Sequence, residues 1–218
     1  MMVALSEHAF AALAAGAGAR LPRYKRLLDL PIALLALLAL APLMLALALA
    51  VRLGSLGPAF FVQTRVGRRG RRFGMIKFRS MYRDAEAQRA ALVPGSDREG
   101  LCFKMRGDPR VTPLGRFLRR SSLDELPQLF NVVLGDMSLV GPRPALPEEV
   151  AVYPAEALER LDALPGITGV WQVSGRADVG FAQMVAMDVG YARAPSLRRD
   201  LAILARTVAV VAAGRGAY

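Results

Sequence analysis

The sequence predicts an α+β, mostly helical membrane protein with an N-terminal hydrophobic helix, a short β-hairpin and amphipathic interfacial helices. Three observations predict it. The run from Leu27 to Val51 is apolar except for Asp29, and it exceeds the roughly 20 residues that a membrane helix needs. Two β-prone runs, 59–66 and 72–81, flank Gly67 and Gly70, the composition of a hairpin turn. Basic residues alternate with apolar ones at helical spacing over 114–120 and again from Ser196 onward.

In chain order, residues 1–22 read as a weak tail of small apolar residues. Its start, MMVALSEH, has no Lys or Arg and so lacks the basic leader of a signal peptide. Residues 23–53 are the membrane element. Pro42 lies near its middle, where it removes the hydrogen bond to the Leu38 carbonyl and favours a bend. Arg20, Arg23, Lys25 and Arg26 precede the element, and Arg52, Arg65, Arg68, Arg69, Arg71 and Arg72 follow it. Positive charge stays cytoplasmic, so this loading suits a re-entrant helix that breaks at Pro42, with both ends on one side. A spanning helix with a tolerated proline is the plain alternative, and local chemistry leaves both open.

Residues 54–218 then form one cytoplasmic domain. Within the hairpin, Lys77 and Arg79 alternate with Ile76 and Phe78 as on a strand with one polar face, which either meets solvent or borders a site. The stretch from Asp84 to Arg98 reads as helix followed by loop. LGRFLRR at 114–120 reads as a short helix presenting Arg116, Arg119 and Arg120. SLRRDLAILARTVAVVAA, from Ser196, is amphipathic and suits either anionic headgroups or a core contact. Trp171 reads as a core or interfacial residue, and Asp136 beside Gly135 as a turn residue ahead of a metal ligand.

Composition narrows the chemistry. The net charge of +11 calls for anionic partners, while 54% hydrophobic residues point to a membrane surface carrying phosphates. Aromatics are 7% of the chain and do not interleave with the basic clusters, so no nucleic-acid partner is expected. Cys102 is the only cysteine and His8 the only histidine, which excludes an intrachain disulfide, a cysteine-rich zinc site and histidine-based catalysis. Acid–base or nucleophilic work falls to carboxylates, lysine or tyrosine.

The candidates lie in LRRSSLDELPQLFNVVLGDMSLVGPRP, 118–144. Asp124 and Glu125 follow Arg119 and Arg120 and precede Arg143, which two prolines flank. A helix start is the ordinary reading: Ser122 and Glu125 match a capping box, or the helix begins at Asp124 with Pro127 inside its first turn. Yet fixed guanidiniums near paired carboxylates also suit a diphosphate with a divalent metal, and a carboxylate can attack phosphorus itself. No P-loop or G-x-G-x-x-G fingerprint is present.

YKRLLDL with its proline-interrupted apolar segment, FVQTRVGRRGRRFGMIKFRSM, SLDELPQLFNVVLGDMSLVGPRP and PGITGVWQVSGR occur in the order of the bacterial sugar transferases. The chain, from about Tyr24 to about Val211, resembles the catalytic core of these monotopic polyprenyl-phosphate phosphoglycosyl transferases. The resemblance implies an enzyme at the cytoplasmic face of the bacterial inner membrane, held by a re-entrant helix–break–helix at Pro42. It implies transfer of a sugar 1-phosphate from a UDP-sugar to undecaprenyl phosphate, releasing UMP, as a first membrane step of exopolysaccharide, O-antigen or glycan assembly. On the same ground Asp124 is the expected nucleophile, forming an aspartyl-phosphosugar intermediate, and Glu125 its acidic partner. Both are expected at Mg²⁺, with Mn²⁺ as a substitute. Arg119, Arg143 and Arg176 match phosphate-binding positions, and Lys77 and Arg79 join them as substrate-binding candidates. Inner-membrane lipids are expected partners, and a homodimer is left open. Leu164 and Ala41 depart from the family pattern, which often has a basic residue and a serine there. The competing class is a non-catalytic basic scaffold or degenerate relative at the membrane.

Overall fold

The computed structural model describes residues 21–92, 105, 107–175 and 179–212. Its first element is one long helix, α1 (Arg23–Gly54), about 48 Å at 1.5 Å per residue. Pro31 and Pro42 both lie inside it, and the helical assignment runs through them unbroken, so the interruption expected at Pro42 is not seen in the secondary structure. Each proline removes one donor, but the leucine- and alanine-rich turns on either side keep helical geometry by their own propensity.

The buried positions of α1 are Lys25, Asp29, Ala33, Met44, Leu47 and Val51, and the half-buried Ala36, Leu37 and Leu40 join the two sets. Their three- and four-residue spacing makes one stripe, so α1 lies against the rest of the chain along its length. The opposite face, including Leu35, Leu38, Leu45, Leu49 and Leu53, is exposed.

Polar anchors hold both ends of α1. At the N-terminal end Lys25 Nζ donates to the Val140 carbonyl at 2.6 Å, Tyr191 Oη at 2.9 Å and Asp200 Oδ2 at 3.0 Å. Asp29, the lone acid of the apolar run, accepts from the Leu139 amide at 3.2 Å. At the other end the Arg79 guanidinium donates to the carbonyls of Ser55 at 2.8 Å and Val51 at 3.3 Å, and to that of Leu56. Helix C-terminal carbonyls lack intrahelical donors, and a guanidinium supplies them.

After α1 come β1 (Phe60–Val66) and β2 (Arg72–Phe78), an antiparallel hairpin with Phe61 opposite Lys77. The strands match the expected runs except at the end of β2, where the chain leaves the hairpin and Met81 bridges Val111 instead. Next are α2 (Arg89–Leu92), α3 (Pro113–Arg120), a 3₁₀ turn (Leu123–Glu125) and α4 (Gln128–Leu134). Then follow β3 (Ser138–Val140), α5 (Pro147–Val150), α6 (Ala155–Leu158) and β4 (Gly166–Thr168), with β3 and β4 forming a short parallel pair. The last elements are α7 (Phe181–Arg193) and α8 (Leu197–Ala212).

The largest core cluster joins Ala33 of α1, Phe73 and Met75 of β2, Leu129 and Val132 of α4, Leu139 and Val140 of β3, and Ile203 of α8. A second joins Met44, Leu47 and Val51 of α1 to Phe78 and Leu118. Full burial of each such side chain contributes roughly 1.5–3 kcal/mol, so the stripe on α1 is a substantial part of the core. Trp171 belongs to a smaller cluster with Val179 and Met184, as a core residue. α8 makes the expected core contact through Asp200 and Ile203, whereas Leu197, Leu201 and Val208 are exposed.

Candidate active site

α3 starts at a strong signal. Thr112 Oγ1 accepts from the Gly115 amide at 2.9 Å, and Pro113 takes the first helical position. Only glycine fits at 115, because a Cβ there would lie 1.9 Å from the Ser80 carbonyl oxygen. That close approach sets Arg119 beside Ser80, whose Oγ accepts from Arg119 Nε at 2.9 Å.

The chain then reverses at Ser122, a non-glycine residue in the left-handed region with φ 57° and ψ 16°. Such conformations are uncommon and persist where the surroundings over-determine them. The reversal corrects both expected helix starts. Ser122 makes no side-chain cap, Asp124 and Glu125 sit in the 3₁₀ turn, and α4 begins at Gln128 with Pro127 just before it. The acidic side chains are thus not occupied as caps.

They line a cavity of about 860 Å³. Its charged lining includes Lys77, Arg119, Asp124, Glu125 and Arg143. Its apolar lining includes Ala36 and Leu40 of α1, Leu129 of α4, and Leu204 and Val211 of α8. Glu125 Oε1 accepts from Lys77 Nζ at 2.9 Å and from Arg143 Nη1 at 3.3 Å. Burial pushes Glu125 upward, but these two cations outweigh it and hold the carboxyl down at about 2. Asp124 is buried and has no such direct ion pair; burial and the neighbouring Glu125 carboxylate raise it to about 6 against the pull of Lys77, Arg119 and Arg143. Burial also lowers Lys77, and Glu125 opposes that shift. The two carboxyls are thus separated by their surroundings: one is a fixed anion, and the other keeps its proton to a higher pH.

The support of this site lies in residues that no local motif singled out. Asn131, on α4, inserts its amide into the hairpin edge: Nδ2 donates to the Gly74 carbonyl at 2.7 Å and Oδ1 accepts from the Ile76 amide at 3.0 Å. This fixes β2 one residue before Lys77. The segment GPRPA, 141–145, is held by its carbonyls, since neither proline has an N–H to offer. The Pro142 carbonyl accepts from the Gly166 amide and the Ala145 carbonyl from the Val66 amide, each at 2.9 Å. Between them, the Arg143 carbonyl accepts from Arg160 Nη2 and the Pro144 carbonyl from Arg65 Nη1, each at 3.1 Å. Four successive carbonyls are thereby anchored to separate parts of the chain.

Of the remaining candidates, Arg79 also lines the cavity, but the bonds of its guanidinium go to the end of α1, as described, and none of those acceptors belongs to the carboxylate pair. Asp136 lies 3.9 Å from Arg71, near the hairpin turn. Arg176 lies outside the described residues. Among the described residues there is no group of three or more His, Cys, Asp and Glu side chains that could hold a metal by itself.

Comparison with known proteins adds a family to this geometry. The profile of the family described as bacterial sugar transferase matches residues 21–214. The chain is 44% identical over 194 residues to the galactosyl transferase CpsE of Streptococcus agalactiae, covering 88% of this chain and 43% of that protein. It is 41% identical over 198 residues to the exopolysaccharide production protein ExoY of Sinorhizobium fredii, covering 89% of this chain and 88% of that one. It is 42% identical over 214 residues to the UDP-glucose:undecaprenyl-phosphate glucose-1-phosphate transferase of Caulobacter vibrioides, covering 92% and 76% respectively. The chain thus spans less than half of CpsE and most of the other two.

Proposed function

The chain belongs to the bacterial sugar transferase family, and on that premise we propose that it transfers a sugar 1-phosphate from a UDP-sugar to undecaprenyl phosphate. The observation that supports this most directly is one cavity lined both by the Asp124 and Glu125 carboxyls with their cations and by apolar side chains of α1 and α8. A lipid phosphate needs both kinds of lining. The cations suit a diphosphate, and the α1 side chains belong to the helix that is long and apolar enough for a membrane.

In this reading an Asp124 carboxylate oxygen attacks the phosphorus that bears the sugar. The bond to the bridging oxygen breaks, and UMP leaves with the electron pair. An oxygen of undecaprenyl phosphate then attacks the aspartyl-bound phosphorus, forming the new diphosphate and returning the carboxylate. Lys77 and Arg143 keep Glu125 ionised, and Arg119 and Arg143 orient the phosphates. Mg²⁺ is commonly held by one or two carboxylates together with substrate phosphates, so Asp124 and Glu125 fit an ion that arrives with the diphosphate. When bound it neutralises phosphate charge.

The anchoring of α1 supports monotopic attachment, with both helix ends on the cytoplasmic side. One end bonds to Val140, Tyr191 and Asp200 and the other to Arg79, and all four belong to the same packed body. The test of function is UMP release by the membrane-embedded protein given undecaprenyl phosphate, Mg²⁺ and a panel of UDP-sugars. Release with at least one sugar, and covalent trapping of labelled phosphosugar when the lipid is omitted, are expected. No UMP from any sugar in the panel would sink the proposal.

A further inference from the structure

Arg143 reaches Glu125 from a five-residue segment that contains two prolines. What fixes that segment on its buried side is Arg160. Its Nη2 donates to the Arg143 carbonyl at 3.1 Å and also to Asp188 of α7, while Nη1 donates to Tyr153 Oη at 2.7 Å. Arg160 and Asp188 are 2% and 1% exposed and Tyr153 is 6% exposed, and although Arg160 and Tyr153 border the cavity, the Arg160 amino groups are turned to Tyr153, Asp188 and the Arg143 carbonyl. A buried ion pair is seldom a source of net stability; it is retained where it specifies a geometry. Here the geometry it specifies is the backbone of Arg143.

We infer that Arg160 and Asp188 act as a positioning pair, with Tyr153 as its third member, which sets the Arg143 guanidinium toward Glu125 and the substrate diphosphate. The pair works through a backbone carbonyl, so the chemistry of its own side chains never enters the reaction. Asp188 neutralises Arg160, and Tyr153 orients it. Arg160 then holds one carbonyl of the anchored segment while Arg65 holds the next. Loss of the pair leaves the carbonyls of Pro142, Pro144 and Ala145 held but removes the Arg160 anchor from the Arg143 carbonyl among them. A displacement on the order of 1 Å in a positioning group is enough to cost up to about a hundredfold in rate.

The test uses the full chain in lipid nanodiscs, with Asp188→Asn, which keeps shape and removes charge, and the milder Tyr153→Phe. The first readout is hydrogen exchange at the amides of 141, 143, 145 and 146, which needs no substrate. Faster exchange there in Asp188→Asn, with α1 unchanged, is expected; unchanged exchange overturns the inference. The second readout is kinetic and rests on the transferase reading. Asp188→Asn should lower kcat/KM about tenfold to a hundredfold, and Tyr153→Phe less. In an Arg143→Ala background both substitutions should lose their effect to within about twofold, since a residue that acts through Arg143 has nothing left to position. Multiplication of the effects in the double variants overturns the inference, because it would show an independent structural role. If Asp188→Asn does not fold, Tyr153→Phe decides by the same two readouts. If the wild type releases no UMP, the transferase reading fails while the exchange result still decides the positioning role.

Discussion

Asp124 illustrates how a site residue can work against the fold that holds it. Its carboxyl titrates near 6 rather than near its ordinary 3.8, chiefly because it is buried. The folded protein therefore keeps a proton that the unfolded chain has already released between those values, and stability falls as pH rises through that window. Asp124→Asn removes the penalty. It should melt at a higher temperature than wild type at pH 7, by at most about 3 kcal/mol of stability. The same substitution removes the oxygen proposed to attack phosphorus, so UMP release should drop at least about a thousandfold, or roughly 4 kcal/mol of barrier. Calorimetry and the release assay on one sample check both; a variant that is less stable or still active contradicts the assignment. In the wild type, kcat/KM should fall about tenfold per pH unit below about 6, as the reactive anion is lost. Glu125, held near 2, contributes no inflection in that range.

At the scale of elements, the hairpin, α1 and the short basic helix were legible because each depends on local period and turn composition. The acid pair was legible as a motif, but its conformation was not. The left-handed Ser122 that turns it toward β2 carries no turn signature of its own, since the residue is neither glycine nor asparagine. Asn131 was invisible for a related reason: its two hydrogen bonds reach 57 and 55 residues back, to Gly74 and Ile76. Asn131→Ala strands both of those backbone groups and should cost about 2–5 kcal/mol, seen in chemical unfolding. At a temperature where the variant stays folded, its UMP release should also fall, because β2 no longer presents Lys77 to Glu125. The ion pair of Lys25 with Asp200 behaves differently. Asp200→Ala should cost about 3–5 kcal/mol and expose α1 to protease, whereas Lys25→Met with Asp200→Leu should recover most of that loss.

At the scale of the whole molecule, the sequence pattern left a spanning and a re-entrant segment both open, and the packing bears on the choice. A helix whose stripe is buried from Lys25 to Val51 against one body has both ends near that body. Single cysteines replacing the exposed Arg23 and Leu56, in a Cys102→Ser background, should be equally shielded from an impermeant thiol reagent in intact cells. Labelling at position 23 alone would show that the helix crosses. Charge loading could not decide this from the sequence, because Arg26 and Arg65 are both committed to backbone carbonyls rather than to lipid. Only long-range contacts reveal which arginines are so occupied.

The anchoring of Lys25 has a consequence for the order of synthesis. Its carboxylate partner lies 175 residues further along the chain. At ordinary elongation rates of about 5–20 residues per second, Lys25 leaves the ribosome about 9–35 s before Asp200 does. Until β2, α4 and β3 have also emerged, α1 lacks its main packing surface, and until Asp200 emerges it lacks the Lys25 anchor, so it is open to capture by the insertion machinery as an ordinary span. A helix delivered to lipid in that interval has to be reclaimed by the later chain. Nascent chains arrested before Tyr191 should show α1 in a different orientation from chains released after Ala212, a difference that glycosylation-site mapping on arrested and released chains would detect.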